Sequence, residues 1–188
     1  RRLLKDPAHQ VRGTAALALG NGDDRGSIGD LSALLADKDP RVANAAAWSL
    51  CRLGAREGVP VWLEAARKFA RPLGALNAVR RPAEWRRLRE KADRFDPKKS
   101  KDELMKHFKE ALDLSVEGDL TEENVRGRLA LRVMEERRPV GLLEALELRQ
   151  EEDRLEFVLE ADRVRILPEA AARGFWADWW AAEAARKN

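Results

Sequence analysis

Residues 3–19 read Leu3-Leu4-Lys5-Asp6-Pro7-Ala8-His9-Gln10-Val11-Arg12-Gly13-Thr14-Ala15-Ala16-Leu17-Ala18-Leu19, and residues 34–50 read Leu34-Leu35-Ala36-Asp37-Lys38-Asp39-Pro40-Arg41-Val42-Ala43-Asn44-Ala45-Ala46-Ala47-Trp48-Ser49-Leu50. At a constant offset of 31, Leu3/Leu34, Leu4/Leu35, Asp6/Asp37, Val11/Val42, Ala15/Ala46, Ala16/Ala47 and Leu19/Leu50 are identical. A fixed period of this size marks stacked repeats, each burying its apolar face only against its neighbours.

Within each copy the spacing is helical. Val11, Ala15, Ala16 and Leu19 fall at i, i+4, i+5 and i+8, one stripe of a helix that is expected to start near Pro7–Ala8 with Asp6 as its cap. Gly20-Asn21-Gly22 stops it, and Asp24 or Ser27 opens a second helix with Ile28, Leu31, Leu34 and Leu35 on one side. The second copy follows the same plan. Its first helix runs from Asp39-Pro40 to about Leu53, Gly54 ends it, and another helix covers about 58–70. A third copy is reduced to residues 73–78, interrupted by Pro72 and Pro82. Residues 82–95 form a closing helix with Trp85, Leu88, Ala92 and Phe95 apolar.

The pattern Asp-Pro-x-x-x-Val-Arg-x-x-Ala-Ala-x-x-Leu, followed by a glycine turn and a second helix, resembles HEAT repeats of the short, bilin-lyase-like type. The resemblance covers about residues 1–70. The second copy departs from it, with Ala43 in place of the arginine and Cys51 in place of the usual glycine. It implies an α-solenoid and an interaction scaffold. Arg1-Arg2-Leu3-Leu4 corresponds to the end of a repeat's second helix, so the chain is expected to be a piece of a larger, bacterial protein.

Beyond residue 95 the period changes. Residues 96–101, Asp-Pro-Lys-Lys-Ser-Lys, read as a linker leading to a helix capped by Ser100 or Asp102 that carries Leu104, Met105, Phe108, Ala111 and Leu112. Leu112, Leu114 and Val116 alternate, and so do Leu129, Leu131 and Val133. Both runs are expected as strands. Residues 139–150 read as a helix, and two more alternating runs (Leu155, Phe157, Leu159; Val164, Ile166) flank a tight turn at 160–163. This order, helix–strand–strand–helix–strand–strand over residues 102–167, resembles the small α+β module at the N-termini of secretins and TonB-dependent receptors. The residues that carry it are 129–133, 139–148 and the hairpin 155–167. It implies a module that contacts other proteins in an exported or periplasmic assembly, whereas the residues themselves leave the compartment open. The expected organisation is therefore a HEAT-like unit over 1–95, a linker over 96–101, the α+β module over 102–167 and a terminal helix over 168–188.

Among the 188 residues, 44% are hydrophobic and 37% charged, enough for a core beneath a strongly solvated exterior. The net charge of +3 hides an asymmetry. Residues 1–70 carry 11 basic and 8 acidic groups, residues 71–110 carry 13 and 7, and residues 111–188 carry 12 and 18. Nothing approaches the run of about 18 apolar residues that a membrane-spanning helix needs. A single cysteine excludes an intrachain disulfide.

An enzyme needs titratable groups that converge. His9 falls in the first turn of an exposed helix. His107, between Lys106 and Phe108, has no Cys or His at metal-binding spacing. Cys51 ends an Ala/Trp/Leu stripe and reads as a small buried hydrophobe. Gly20-Asn21-Gly22 lacks the lysine of a phosphate-binding loop. The pairs Glu122-Glu123 and Glu135-Glu136 and the run Glu151-Glu152-Asp153 read as surface. No catalytic residue, cofactor, metal or small-molecule substrate is expected.

Two stretches remain as interaction candidates. Arg80, Arg81, Arg86, Arg87, Arg89, Lys91, Arg94, Lys98, Lys99 and Lys101 crowd into 22 residues with Trp85 among them. That mixture could follow a phosphate backbone and stack a base, making nucleic acid the alternative partner for 80–101. Some HEAT-like DNA glycosylases use a basic concave surface with Trp and Asp in this way. Glu84, Glu90, Asp93 and Asp96, interspersed among the cations, favour a solvated helix instead. The second stretch is the terminal helix, where Phe175, Trp176, Trp179 and Trp180 share one side. So much aromatic surface must be covered by the chain's own core or by a partner. The sequence thus reads as a protein-binding scaffold, with Trp85, Arg86, Arg87, Arg89, Phe175, Trp176, Trp179 and Trp180 as its candidate contacts.

Overall fold

The computed structural model describes residues 1–69, 71–91, 94–147 and 155–186. The chain divides into two compact units, residues 1–82 with 175–188, and residues 83–174.

In the first unit a short 3-10 turn at Arg2–Lys5 precedes α1 (His9–Asn21). Then come α2 (Ile28–Ala33), α3 (Pro40–Arg52), α4 (Val59–Phe69) and α5 (Leu76–Arg80). Asp39 caps α3 by accepting from the Arg41 N–H, and Pro40 occupies the first turn, where no N–H is needed. Asp6 does the corresponding job one copy earlier less directly, accepting from Ala8 N–H at 2.8 Å while Ala8 stands at the helix boundary. Gly54 ends α3 with φ +81°, a value that suits glycine because it has no Cβ. Helix α3 packs against α1, α4 and α5. Leu4, Ala16, Leu31, Leu50, Leu53 and Ala55 form one buried cluster.

The equivalence at offset 31 holds in space. Ala16 and Ala47 are both fully buried. The small residues matter because α1 and α3 approach closely: a Cβ on Gly20 would come within 2.7 Å of Ser49. The Ser49 hydroxyl donates to the Ala16 carbonyl at 2.9 Å.

The second unit holds most of α6 (Pro82–Glu90), then α7 (Lys101–Ala111), β1 (Leu114–Val116), α8 (Glu122–Glu135), α9 (Leu142–Glu147), β2 (Leu155–Leu159) and β3 (Val164–Pro168). Its three-stranded sheet has the order β1-β3-β2, with β1 parallel and β2 antiparallel to β3. The hairpin turn closes through Glu160 N–H to Arg163 O at 2.9 Å.

Two expectations change here. Residues 129–133 belong to α8, not to a strand. Val125, Leu129, Ala130 and Val133 are buried at i, i+4, i+5 and i+8, Leu131 points outward at 43% exposure, and Thr121 caps the helix. The Leu-x-Leu-x-Val run also fits a period of two, but the helical stripe starts earlier, at Val125. With that strand gone, helix–strand–helix–helix–strand–strand replaces the order on which the secretin/TonB-receptor resemblance rested. The boundary also differs from the linker expected at 96–101. Phe95 is buried, lies 4.2 Å from Phe108 between ring centroids, and exchanges backbone hydrogen bonds with Val140 at 2.8 and 3.2 Å. Residues 96–101 therefore lie inside the second unit, and Ser100 with Glu103 forms a capping box on α7.

The final helix, α10 (Glu169–Ala185), crosses the division at residue 174/175. The expected apolar contribution of Ala92, the helical reading of 148–150 and the acidic run at 151–153 lie outside the described residues.

Candidate functional site

The seam between the first two repeats is tied by a bidentate pair. Arg12 Nε donates to Asp37 Oδ2 at 2.7 Å and Nη2 to Oδ1 at 2.8 Å, with both side chains only 8% exposed. The third guanidinium nitrogen, Nη1, donates to the carbonyls of Asp6 and Pro7. Asp37 is held below the usual carboxylate range, first by the Arg12 hydrogen bond and then by the Asp39 N–H. Ala43 stands where the second copy would repeat this arginine.

The faces of α1 and α3 differ in what covers them. Val42 and Ser49 of α3 meet Gly13, Ala16 and Gly20 of α1. At the repeat offset, their counterparts on α1 are Val11 and Ala18. Val11 is half-buried, whereas Ala18 is exposed, with Thr14 and Leu17 (40% exposed) open beside it. The same helix design is thus covered once and left open once. Nothing in the sequence alone marks this face, because Thr14, Leu17 and Ala18 fall outside the Val11, Ala15, Ala16 and Leu19 stripe; the difference in burial between the two copies distinguishes it.

The aromatic helix packs against its own chain. Trp176 is fully buried, with Phe175 and Trp179 edge-on to it at 5.1 and 5.5 Å. Phe175, Trp179 and Trp180 are half-buried. The Arg80 guanidinium carbon lies 4.9 Å from the Phe175 ring centroid, and that of Arg56 lies 5.3 Å from the Trp180 centroid. Arg56 also pairs with Glu183 at 2.8 Å, which keeps the Glu183 carboxyl below its ordinary range.

The basic stretch is not a continuous strip of free cations. Trp85 is buried and stacks on Phe157 at 6.5 Å with 6° between the ring planes, so its indole faces the core. Arg80 lies over Phe175, and Arg87 Nη2 donates to Ala161 O at 3.3 Å. Arg86 is exposed and Arg89 half-buried. Lys91 and Lys99 turn instead toward α7, where the Lys91 ammonium meets the Ala111 carbonyl and that of Lys99 meets His107 Nε2.

Residues considered for catalysis are engaged elsewhere. Cys51 is fully buried, and desolvation pushes its thiol far up, so the thiolate needed for nucleophilic attack is suppressed. His9 Nδ1 stands 3.6 Å from Asp39 Oδ2, and His107 Nδ1 stands 3.9 Å from Glu110. Glu122 binds Arg126, and Glu135 and Glu136 flank Arg132. Among the described residues, no group of three or more His, Cys, Asp and Glu is placed to hold a metal ion. No described helix is long and apolar enough to cross a membrane.

The family model of HEAT repeats matches residues 1–73. The match spans α1 through α4, the two copies found at offset 31. No curated protein matches the chain, and no solved structure does.

Proposed function

We propose that this protein is a non-enzymatic scaffold for protein–protein interaction, whose HEAT-like hairpins stack as an α-solenoid. The match to HEAT repeats supports this reading, as does the packing of α3 between its sequence neighbours. The observation that carries it is the open face of α1. Ala18 is exposed, whereas its counterpart on α3, Ser49, is buried against Ala16 and Gly20, and Thr14 and Leu17 are exposed beside Ala18. Such a face accepts a helix that presents small residues one turn apart, the complement that α1 itself offers to α3.

Quantitative capture of proteins from source-cell extract tests the reading. The parent chain should retain a discrete partner that Leu17→Asp combined with Ala18→Asp loses, with the melting temperatures of the two proteins unchanged. Equal capture by both proteins would sink the assignment of this face.

A further inference from the structure

The second unit contains a cleft of about 470 Å³ lined by Lys91, Arg94, Phe95, Lys99, His107, Glu110 and Ala111. Three permanent cations converge on it, and Glu110 is the single carboxylate among these lining residues. Each side is held in place by the fold. Phe95 is pinned by its bridge to Val140 and by Phe108. The Lys91 ammonium rests on the Ala111 carbonyl at the C-terminus of α7, the negative end of that helix. An ammonium can only donate, so the contact between Lys99 Nζ and His107 Nε2 makes that ring nitrogen the acceptor and leaves Nδ1 turned toward Glu110. Two further carboxylates near Lys99 are engaged: Glu103 accepts from the Ser100 N–H and hydroxyl of the capping box, and Asp96 accepts from the Lys98 N–H.

We infer that this cleft is a binding site for a phosphate monoester. A compact dianion can bridge Lys91, Arg94 and Lys99 through charge-assisted hydrogen bonds, since among the described lining residues three cations face the one carboxylate of Glu110. The volume exceeds that of a bare phosphate, leaving room for the esterified group against Phe95. A neighbouring cavity of about 170 Å³ shares Lys91 and Ala111 but mixes Arg87 and Arg163 with Glu84, Asp113, Glu160 and Asp162, so it offers an anion no comparable excess of positive charge. Convergence on a point also distinguishes this site from a nucleic-acid track. Trp85 is buried rather than offered as a stacking surface, and Arg80 and Arg87 face other partners.

The test is an NMR titration of the 188-residue chain with inorganic phosphate, O-phosphoserine, dimethyl phosphate and a short oligothymidylate, at constant ionic strength. Saturable shifts at the His107 ring and at the Phe95 and Ala111 amides are expected with phosphate and phosphoserine, and stronger binding of phosphoserine would mark the esterified form as the ligand. Lys99→Gln and Arg94→Gln should each weaken binding roughly tenfold, the loss expected for one charge-assisted hydrogen bond. Arg86→Gln, an exposed cation outside the cleft, should leave it unchanged. The inference is overturned if the cleft resonances stay fixed with phosphate and phosphoserine, if dimethyl phosphate binds as well as they do, if Lys99→Gln and Arg86→Gln behave alike, or if only the oligonucleotide moves the resonances.

Discussion

The Ser49 hydroxyl of α3 reaches across the repeat seam to the Ala16 carbonyl of α1, 2.9 Å away. The contact is possible only because Gly20, one helical turn beyond Ala16, has no side chain. A Cβ there would lie 2.7 Å from Ser49 Cβ and Oγ and 2.8 Å from its Cα. Alanine would favour the helix by about 1 kcal/mol, but overpacking a close helix contact costs roughly 1–3 kcal/mol. Gly20→Ala should therefore lower the melting temperature, and adding Ser49→Gly should recover part of the loss. A stabilised Gly20→Ala protein would mean that the helices are not this close.

The Arg12–Asp37 pair makes the seam acid-sensitive. Asp37 titrates lower in the fold than in the unfolded chain, so its contribution is fully present above the unfolded value of about 3.9. It is lost as pH falls through the folded value. Asp37→Asn should melt lower than the parent at neutral pH yet lose less on acidification. Parallel melting-temperature curves from neutral to acid pH would contradict the pairing.

Helix α8 yields a contrast between adjacent same-parity positions. A strand would place Leu129 and Leu131 on one face, whereas the helix buries Leu129 and leaves Leu131 at 43% exposure. Leu129→Ala should cost about 2–5 kcal/mol by urea unfolding, and Leu131→Ala should stay within about 0.5 kcal/mol. Equal losses would restore the strand.

The terminal helix is expected to contribute chiefly through one residue. Trp176→Ala should cost roughly 3–5 kcal/mol, more than Trp180→Ala, because Trp176 is fully buried while Trp180 is half-buried under Arg56. If the order of the two melting temperatures were reversed, the aromatic stripe would be facing the other way.

Much of the first unit was legible because its signals are local and repeated. Asp39-Pro40 begins α3, Gly54 ends it, and the offset of 31 puts Ala16 and Ala47 in equivalent buried places. The second unit was harder to read. Leu129, Leu131 and Val133 satisfy a period of two and, with Val125 added, the helical stripe, so a short window could not choose between them. The partnering of β1 with β3 is non-local and leaves no mark in either segment alone. The basic stretch could be read for charge but not for direction. Tertiary packing turned Trp85 inward and grouped Lys91, Arg94 and Lys99, all outside helices, with His107 of α7.

The most direct measurement of the scaffold reading is site-specific photo-cross-linking in the source cell, with the photoreactive residue at position 17 on the open face of α1 and, separately, at exposed position 102. The account predicts a discrete protein adduct from position 17 that is absent from position 102. Adducts of the same pattern and yield from both positions, or none from position 17, would contradict it.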